Sequence, residues 1–417
     1  MRVAMILGFL PTYVRAEVEA LGRAGVETEI WLPGSDGYMD SIAGRDLPRG
    51  AVRGGIGGEL LTGSPSAGQA FSSLLSMAGA FVRSPRSTIR LADEAVHTGS
   101  PSMMAYGARL ADSLSRRPPD RIHCHFAWEP AAVAMFASRL LGVPWSLTVH
   151  AADIFTPRRP GLVRLMLEQA RPLFTISDFD RDFIAGRWGA SLGARTVVSR
   201  LGIDTGGLPP WTGSGSRTIW CTASGLAEKK GVEVLLGACA LMREELAGWR
   251  CVIAGSDREG AVLGRCRDLA SSMGLDGLVE FPGALPSREV LAGTAGAAAA
   301  VLPCVKAASG DMDGIPVALI EAMGMGVPVV STRLSGIPEL IEDGVSGVLV
   351  EPGDPERLAG AIRALLRDPV AAASLGRAGR ARVEERFAAS NHAREMIEAW
   401  ASCDGRRETP DGATQGS

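Results

Sequence analysis

Lysine is almost missing from this chain. Of its 43 basic residues only three are lysine, Lys229, Lys230 and Lys306, and the other forty are arginine. A bias of that kind suggests a GC-rich bacterial genome, and it singles out the adjacent pair Lys229 and Lys230. Neither sign of charge dominates. The formal net charge of -3 gives no reason to expect nucleic acid as a partner. Long apolar runs are absent too. The longest, residues 295–305, is too short to span a bilayer and contains Pro303. No transmembrane segment is therefore expected, although weak peripheral contact with a membrane stays compatible with the chain. The opening MRVAMILGFLP is short and enters a polar helix, so it reads as a buried first strand and not as a signal peptide. No CxxC pair occurs. The seven cysteines are scattered through apolar runs and read as reduced core residues of a cytoplasmic protein. No Walker loop, G-x-S-x-G, zinc pattern or short-period repeat is found. The glycine-rich residues 54–58 lack a following GK[ST] and read as a flexible loop.

What is there is regular. At 417 residues and 43.6 kDa the chain is too long for one core, and two domains are expected. Short apolar strands alternate with amphipathic helices, the pattern of parallel sheets. Strands are predicted at 2–7, 27–32, 121–125, 145–149, 173–176 and 195–198. Helices are predicted near 14–24, 130–141, 163–169 and 178–187. Residues 50–118 are rich in Gly, Ser and Arg and then turn helical, which suggests an insertion over the first domain's cleft face. The run LPPWTGSGS at 208–216 is a linker by composition. After it the alternation restarts, with strands at 218–222, 251–254, 278–281, 297–302, 327–330 and 347–350. The chain reads as two doubly wound α/β domains. Ligands of such sheets sit at the carboxyl ends of the strands.

Three segments carry chemistry there. The first, residues 313–339, reads DGIPVALIEAMGMGVPVVSTRLSGIPE. Asp313 and Glu321 flank a Gly-Ile-Pro turn that opens an apolar helix. Pro316 suits the first helical position, and Gly326 closes the helix where a left-handed residue is wanted. A helix N-terminus suits a phosphate, and Glu321 lies about one turn further in, within reach of hydroxyls beside it. A phosphate next to a polyol describes a nucleotide-sugar. The second segment is ASGLAEKKG at 223–231, with Lys229 and Lys230 after a strand. The third is TVHAADI at 148–154, where His150 ends an apolar strand of the first domain and faces the expected cleft. Asp153 either orients His150, bonds an acceptor hydroxyl or caps a helix. A further pair, His123 and His125, points one way along a strand. No suitable Asp, Glu, Cys or His set accompanies it, so it reads as a structural polar network and not as a metal site.

Together these segments resemble the retaining GT-B glycosyltransferases of family 4, over nearly the whole chain. Asp313 and Glu321 match the two acidic positions of that family's E-x7-E signature, and GIPE at 336–339 also fits. The resemblance implies two facing Rossmann-like domains. They would be an acceptor-binding domain at 1–206, with the insertion, and a nucleotide-sugar domain at 207–385. A crossover helix at 386–402 would return to the first domain, and a disordered tail would occupy 403–417. It implies a catalytic set of His150, Asp313 and Lys230, with Lys230 neutralising the donor diphosphate and Lys229 solvated. Donor contacts would come from Glu321, Gly314, Ile315, Gly255, Ser256 and Leu285. Acceptor contacts would come from Thr12, Tyr13 and Asp153. The first loop reads LPTY where relatives often read SETF, so its acceptor contacts differ. The family's arginine in the lysine loop falls on Gly225, and another arginine is left to substitute. The implied reaction moves a hexosyl or N-acetylhexosaminyl group, UDP-linked, to a hydroxyl of a small natural product such as an aminocyclitol, or of a saccharide. No cofactor or metal is implied. Alternatives are an exopolysaccharide or lipid-linked saccharide transferase, a GT-B epimerase or phosphorylase, and an inactive nucleotide-sugar-binding or partner subunit.

Overall fold

The computed structural model describes residues 1–7, 11–31, 52–53, 67–213, 215–256 and 261–404. Two all-parallel sheets organise them. The first has seven strands in the order β3-β2-β1-β4-β5-β6-β7. They are β1 (Arg2–Ile6), β2 (Glu27–Trp31), β3 (Val52–Arg53), β4 (Arg121–His125), β5 (Trp145–Val149), β6 (Leu173–Thr175) and β7 (Thr196–Val198). The second has six, in the order β10-β9-β8-β11-β12-β13. These are β8 (Thr218–Thr222), β9 (Arg250–Ala254), β10 (Val279–Gly283), β11 (Ala299–Val301), β12 (Val329–Thr332) and β13 (Val348–Val350). Strand order reverses between β1 and β4 and again between β8 and β11. That reversal opens a crevice at the carboxyl edge of each sheet. β1, β4 and β5 are buried along their whole lengths, as strands covered by helices on both faces must be. The two crevices face one another, which makes the fold GT-B.

Local sequence signals account for much of the helix placement. Ser177 caps the helix Asp178–Trp188 by accepting from the Asp180 N–H. Asp354 and Asp368 do the same for Pro355–Arg367 and Pro369–Arg386. Gly326 ends the helix Val317–Met325 in the left-handed region, with φ 84°. Pro316 does not open that helix from its first turn. It sits at the N-cap with extended backbone, because the turn through Gly314 and Ile315 must reach across to the other sheet's loops.

The region at 50–118 departs from expectation. Its described part contains edge strand β3 and the helices Ala67–Arg83, Pro85–His97 and Pro101–Ser115. Leu91, Ala95, Met104 and Leu110 join the core of the first sheet beside Phe136. Gly107 lies so close to the helix Glu129–Leu141 that an added Cβ would meet the Phe136 Cβ at 2.6 Å. These helices are a packed outer layer of the first sheet. They do not lie over the cleft.

The carboxyl-terminal stretch is two helices and not one. Pro369–Arg386 stays with the second sheet, and its Gly376 abuts the Gly326 carbonyl. Ala389–Asp404 packs against the first helix, Thr12–Arg23, through Ala393, Met396 and Trp400. The joint is pinned where Ile203 N–H donates to the Phe387 carbonyl (2.9 Å) and Ala389 N–H to the Ile203 carbonyl (3.0 Å). The expected tail begins later than 403, since the helix runs to Asp404, and 405–417 lies outside the described residues. Six of the seven cysteines are buried and all are unbridged. No helix among the described residues is long and apolar enough to cross a membrane.

Candidate active site

The two crevices enclose a cavity of about 470 Å³. Its first wall comes from loops that follow β1, β4, β5 and β6: Thr12, Tyr13, Phe126, His150, Ala151 and Ile176. The second wall is Thr222, Ser224, Lys230, Leu285, Asp313, Gly314 and Ile315, followed by the opening turn of Val317–Met325 and Glu321. Residues more than 300 positions apart thus meet because parallel strands all deliver their carboxyl ends to the same edge.

The charged groups of the second wall are already paired. Lys230 Nζ lies 2.7 Å from Asp313 Oδ2. Burial works against both ions, but each draws the other further into its charged form. Burial would lower the Lys230 ammonium, yet Asp313 raises it above the usual lysine range. Burial would raise the Asp313 carboxyl, yet the two lysines hold it below the usual carboxylate range. Lys229 is not solvated. Its Nζ sits 3.0 Å from Asp311 and 3.4 Å from Asp313, and its side chain is 17% exposed. Ser335 Oγ donates to the carbonyls of Asp313 and Gly314, which fixes the turn. Among the described lining residues Lys230 is the only cation, and none of them is an arginine that could substitute at Gly225. Gly225 has φ 61° and open space around its Cα.

Glu321 is different. It makes no ion pair or hydrogen bond with another described residue, and burial alone pushes its carboxyl up to about 7. A half-buried carboxylate facing a cavity without partners is set to receive donors from a ligand.

Across the cavity, His150 is 4% exposed. Phe126 stacks on its imidazole with ring centroids 4.2 Å apart, and Tyr13 lies 5.4 Å away. Phe126 holds this position in the left-handed region, φ 65°, a conformation that costs energy in a non-glycine residue. Burial above all, and then the neighbouring His125, keeps the His150 imidazole well below its ordinary basicity, so it is neutral at pH 7.

Several of the expected residues lie outside the lining of this cavity. Both Asp153 oxygens accept from backbone N–H groups: Ala127 at 2.9 Å, Ala151 at 2.8 Å and His150 at 3.1 Å. Asp153 therefore orients the His150 loop, and it lines a neighbouring cavity on the first domain rather than this one. Gly255 and Ser256 are absent from the described lining of the cavity. An added Cβ on Gly255 would meet the Ala223 carbonyl oxygen at 2.1 Å, so that glycine permits two loops to pack. Gly314 has its own reason to lack a side chain, since a Cβ there would sit 2.8 Å from the His150 carbonyl oxygen. Residues 8–10 of the first loop lie outside the described residues.

The structure also adds residues that sequence reading missed. Glu17 Oε1 is 3.2 Å from His125 Nε2 and 3.9 Å from His123 Nε2. A carboxylate of metal-binding type thus does accompany the histidine pair, from another helix. Its oxygens already serve His125 and His392, which makes the group a hydrogen-bonded network. A signal for it existed. Glu17 interrupts the buried stripe Val14, Val18, Leu21 of the first helix at helical spacing. Glu339, of the GIPE segment, bonds the Asp178 and Phe179 N–H groups (3.0 and 2.9 Å) and Arg200 (2.7 Å). It caps a helix of the opposite domain and ties the two together.

This geometry has counterparts. A model described as glycosyl transferase 4-like domain matches residues 10–201, and one described as glycosyl transferases group 1 matches 216–368. Glycogen synthase of Mycobacterium tuberculosis is 30% identical over 305 residues, 69% of this chain and 70% of its own. The chain belongs to the family-4 glycosyltransferases. The putative colanic acid biosynthesis glycosyltransferase WcaL of Escherichia coli is 42% identical over 167 residues, which spans 40% of either chain. Anabaena HepE, solved in complex with UDP-glucose, superposes with a TM-score of 0.70 at 18% identity, covering 96% of this chain and 100% of that one. Its likeness is one of fold.

Proposed function

We propose that the protein transfers a hexosyl group from a nucleotide-diphosphate sugar, UDP-linked, to a hydroxyl of a saccharide acceptor with retention at the anomeric carbon. One observation carries this reading. A single cavity places Lys230, the amino end of a helix and an unpartnered, half-buried Glu321 on one wall, opposite the neutral His150. The helix end and Lys230 suit the diphosphate, and Glu321 suits the ribose hydroxyls. Diphosphate binding requires Lys230 to share its ammonium between Asp313 and the phosphate. Asp313 in turn is freed to accept from sugar hydroxyls.

The reaction breaks the bond between the anomeric carbon and the β-phosphate oxygen. The acceptor oxygen bonds the same face of that carbon, and its proton passes to the departing phosphate. Negative charge grows on the phosphate as the bond breaks, where Lys230 and the helix end stabilise it. No protein base is required. The acceptor approaches from the first domain, where a neighbouring cavity of about 410 Å³ is lined by Trp128, Arg158, Arg159 and Leu162. The exopolysaccharide alternative is the stronger of the acceptor readings, because the relative WcaL is named for colanic acid biosynthesis. No specific observation favours a small natural product.

Purified protein incubated with UDP-glucose, UDP-galactose, UDP-N-acetylglucosamine and GDP-mannose tests this directly. Slow release of UDP from one UDP-sugar, abolished by Lys230→Ala, supports it. Turnover of GDP-mannose alone refutes the uridine assignment, and release from none favours an inactive binding subunit.

A further inference from the structure

Behind His150 runs a chain of buried polar groups that leads away from the cavity. His150 Nε2 is 3.1 Å from His125 Nδ1. His125 Nε2 is 3.2 Å from Glu17 Oε1. Glu17 Oε2 is 2.8 Å from His392 Nε2, and His392 Nδ1 is 2.7 Å from Ser199 Oγ. Glu17, His125 and His392 are all 2% exposed or less. Glu17 belongs to the first helix and His392 to Ala389–Asp404, the helix that arrives from the second sheet. None of the three lines the cavity.

We propose that Glu17 is the positioning residue for His150, acting through His125 to fix which imidazole nitrogen carries the proton. The inference rests on the reading of His150 as a group beside the reacting centre. With His125 neutral, donor and acceptor capacity fixes the arrangement. An ionised carboxylate only accepts, so His125 Nε2 and His392 Nε2 both carry hydrogen. A neutral His125 then has a bare Nδ1, which accepts from His150 Nε2–H. His150 is left as the Nε2–H tautomer with a bare Nδ1, an acceptor for a sugar hydroxyl. Ser199 Oγ–H completes the chain by donating to His392 Nδ1. Burial would push Glu17 toward its neutral form, but His125 and His392 hold its carboxyl well below the usual range, consistent with an anion here.

The stack of Phe126 sets the plane of the His150 ring, and Glu17 sets its proton. The same carboxylate reads the docking of the returning helix, because its second oxygen is held by His392. The remaining titratable groups around this chain are Tyr13, His123 and Asp153. His123 is held by Ser146 Oγ at 2.9 Å, and Asp153 by backbone N–H groups.

Two experiments test the assignment. In the unmodified protein, nitrogen-15 imidazole spectra should show His125 and His150 as neutral Nε2–H tautomers at pH 7. An Nδ1–H tautomer or a protonated His150 would overturn it, whatever the variants do. Glu17→Gln keeps the shape but turns an acceptor into a partial donor. It should lower kcat by about ten- to a hundredfold, with the dissociation constant for UDP unchanged. In a His150→Ala background Glu17→Gln should cause no further loss, since its effect passes through that ring. Equal losses with and without His150, or full activity of Glu17→Gln, would refute the proposal. Failure of the parent protein to turn over any sugar nucleotide would instead count against the proposed function, and the tautomers would remain measurable.

Discussion

Glu321 is the half-buried acid whose protonation should be readable both in folding and in binding. Burial lifts its carboxyl from the ordinary 4.5 to about 7, with no compensating partner among the described residues. At 1.36 kcal/mol per pH unit, that gap corresponds to about 3 kcal/mol between the two protonation states. The sign follows from linkage. A group whose folded pKa is raised favours the folded state below its unfolded pKa, and that contribution is lost as pH rises through the folded value. The unliganded protein should therefore lose up to about 3 kcal/mol of stability from this residue between pH 4.5 and 8. Glu321→Gln removes the titration. Urea unfolding at a series of pH values should then show the parent falling relative to the variant across that window. Nucleotide reverses the preference, because ribose hydroxyls donate to the ionised form. UDP affinity of the parent should rise as pH passes through 7, with proton release measurable by calorimetry in buffers of different ionisation enthalpy. The Glu321→Gln variant should bind more weakly above pH 7 and show a flat profile. Parallel pH curves for parent and variant, in both stability and affinity, would refute the assignment.

Other perturbations have equally defined outcomes. Lys230→Ala should reduce transfer about a hundredfold or more, since a charge-assisted contact to a developing anion is removed, and steady-state kinetics would report it. Lys229→Ala should also be felt in urea unfolding, because it leaves Asp311 without its 3.0 Å partner and Asp313 with one lysine in place of two. Gly225→Arg and Gly225→Ala should lose similar stability, about 1–2 kcal/mol, because both force a side chain into φ 61°. A gain in UDP affinity by the arginine variant would instead show that the site merely lacks a second cation. Glu339→Ala should remove the bonds that Glu339 makes to the Asp178 and Phe179 N–H groups and to Arg200, which keeps only Asp178, and a larger radius of gyration by solution scattering should report the loosened domain pair. An unchanged scattering profile would show that apolar contacts alone hold the closed form.

Local pattern was enough for the two parallel sheets, whereas His150, Lys230, Asp313 and Glu321 were singled out with the help of a family resemblance. A run such as Trp145–Val149 is buried on both faces, and such runs between helices have few other solutions. The turn chemistry of Gly326 and the helix caps at Ser177 and Asp354 is equally local. Each is a matter of neighbours in the chain, and sequence carries that information openly. What sequence reading missed is non-local. Glu17 is an acid on an apolar stripe until His125 and His392, 108 and 375 residues away, are brought to it. Asp153 leaves three roles open in the sequence, and the convergence of three backbone N–H groups on it makes it the anchor of the His150 loop. Lys229 reads as solvated until the Asp311 loop folds over it. Periodicity and capping are set within a turn or two of helix or strand, so the sequence alone determined the architecture. Hydrogen-bond satisfaction in a buried site depends on which distant groups share the same low-dielectric space, and only the tertiary structure decided that.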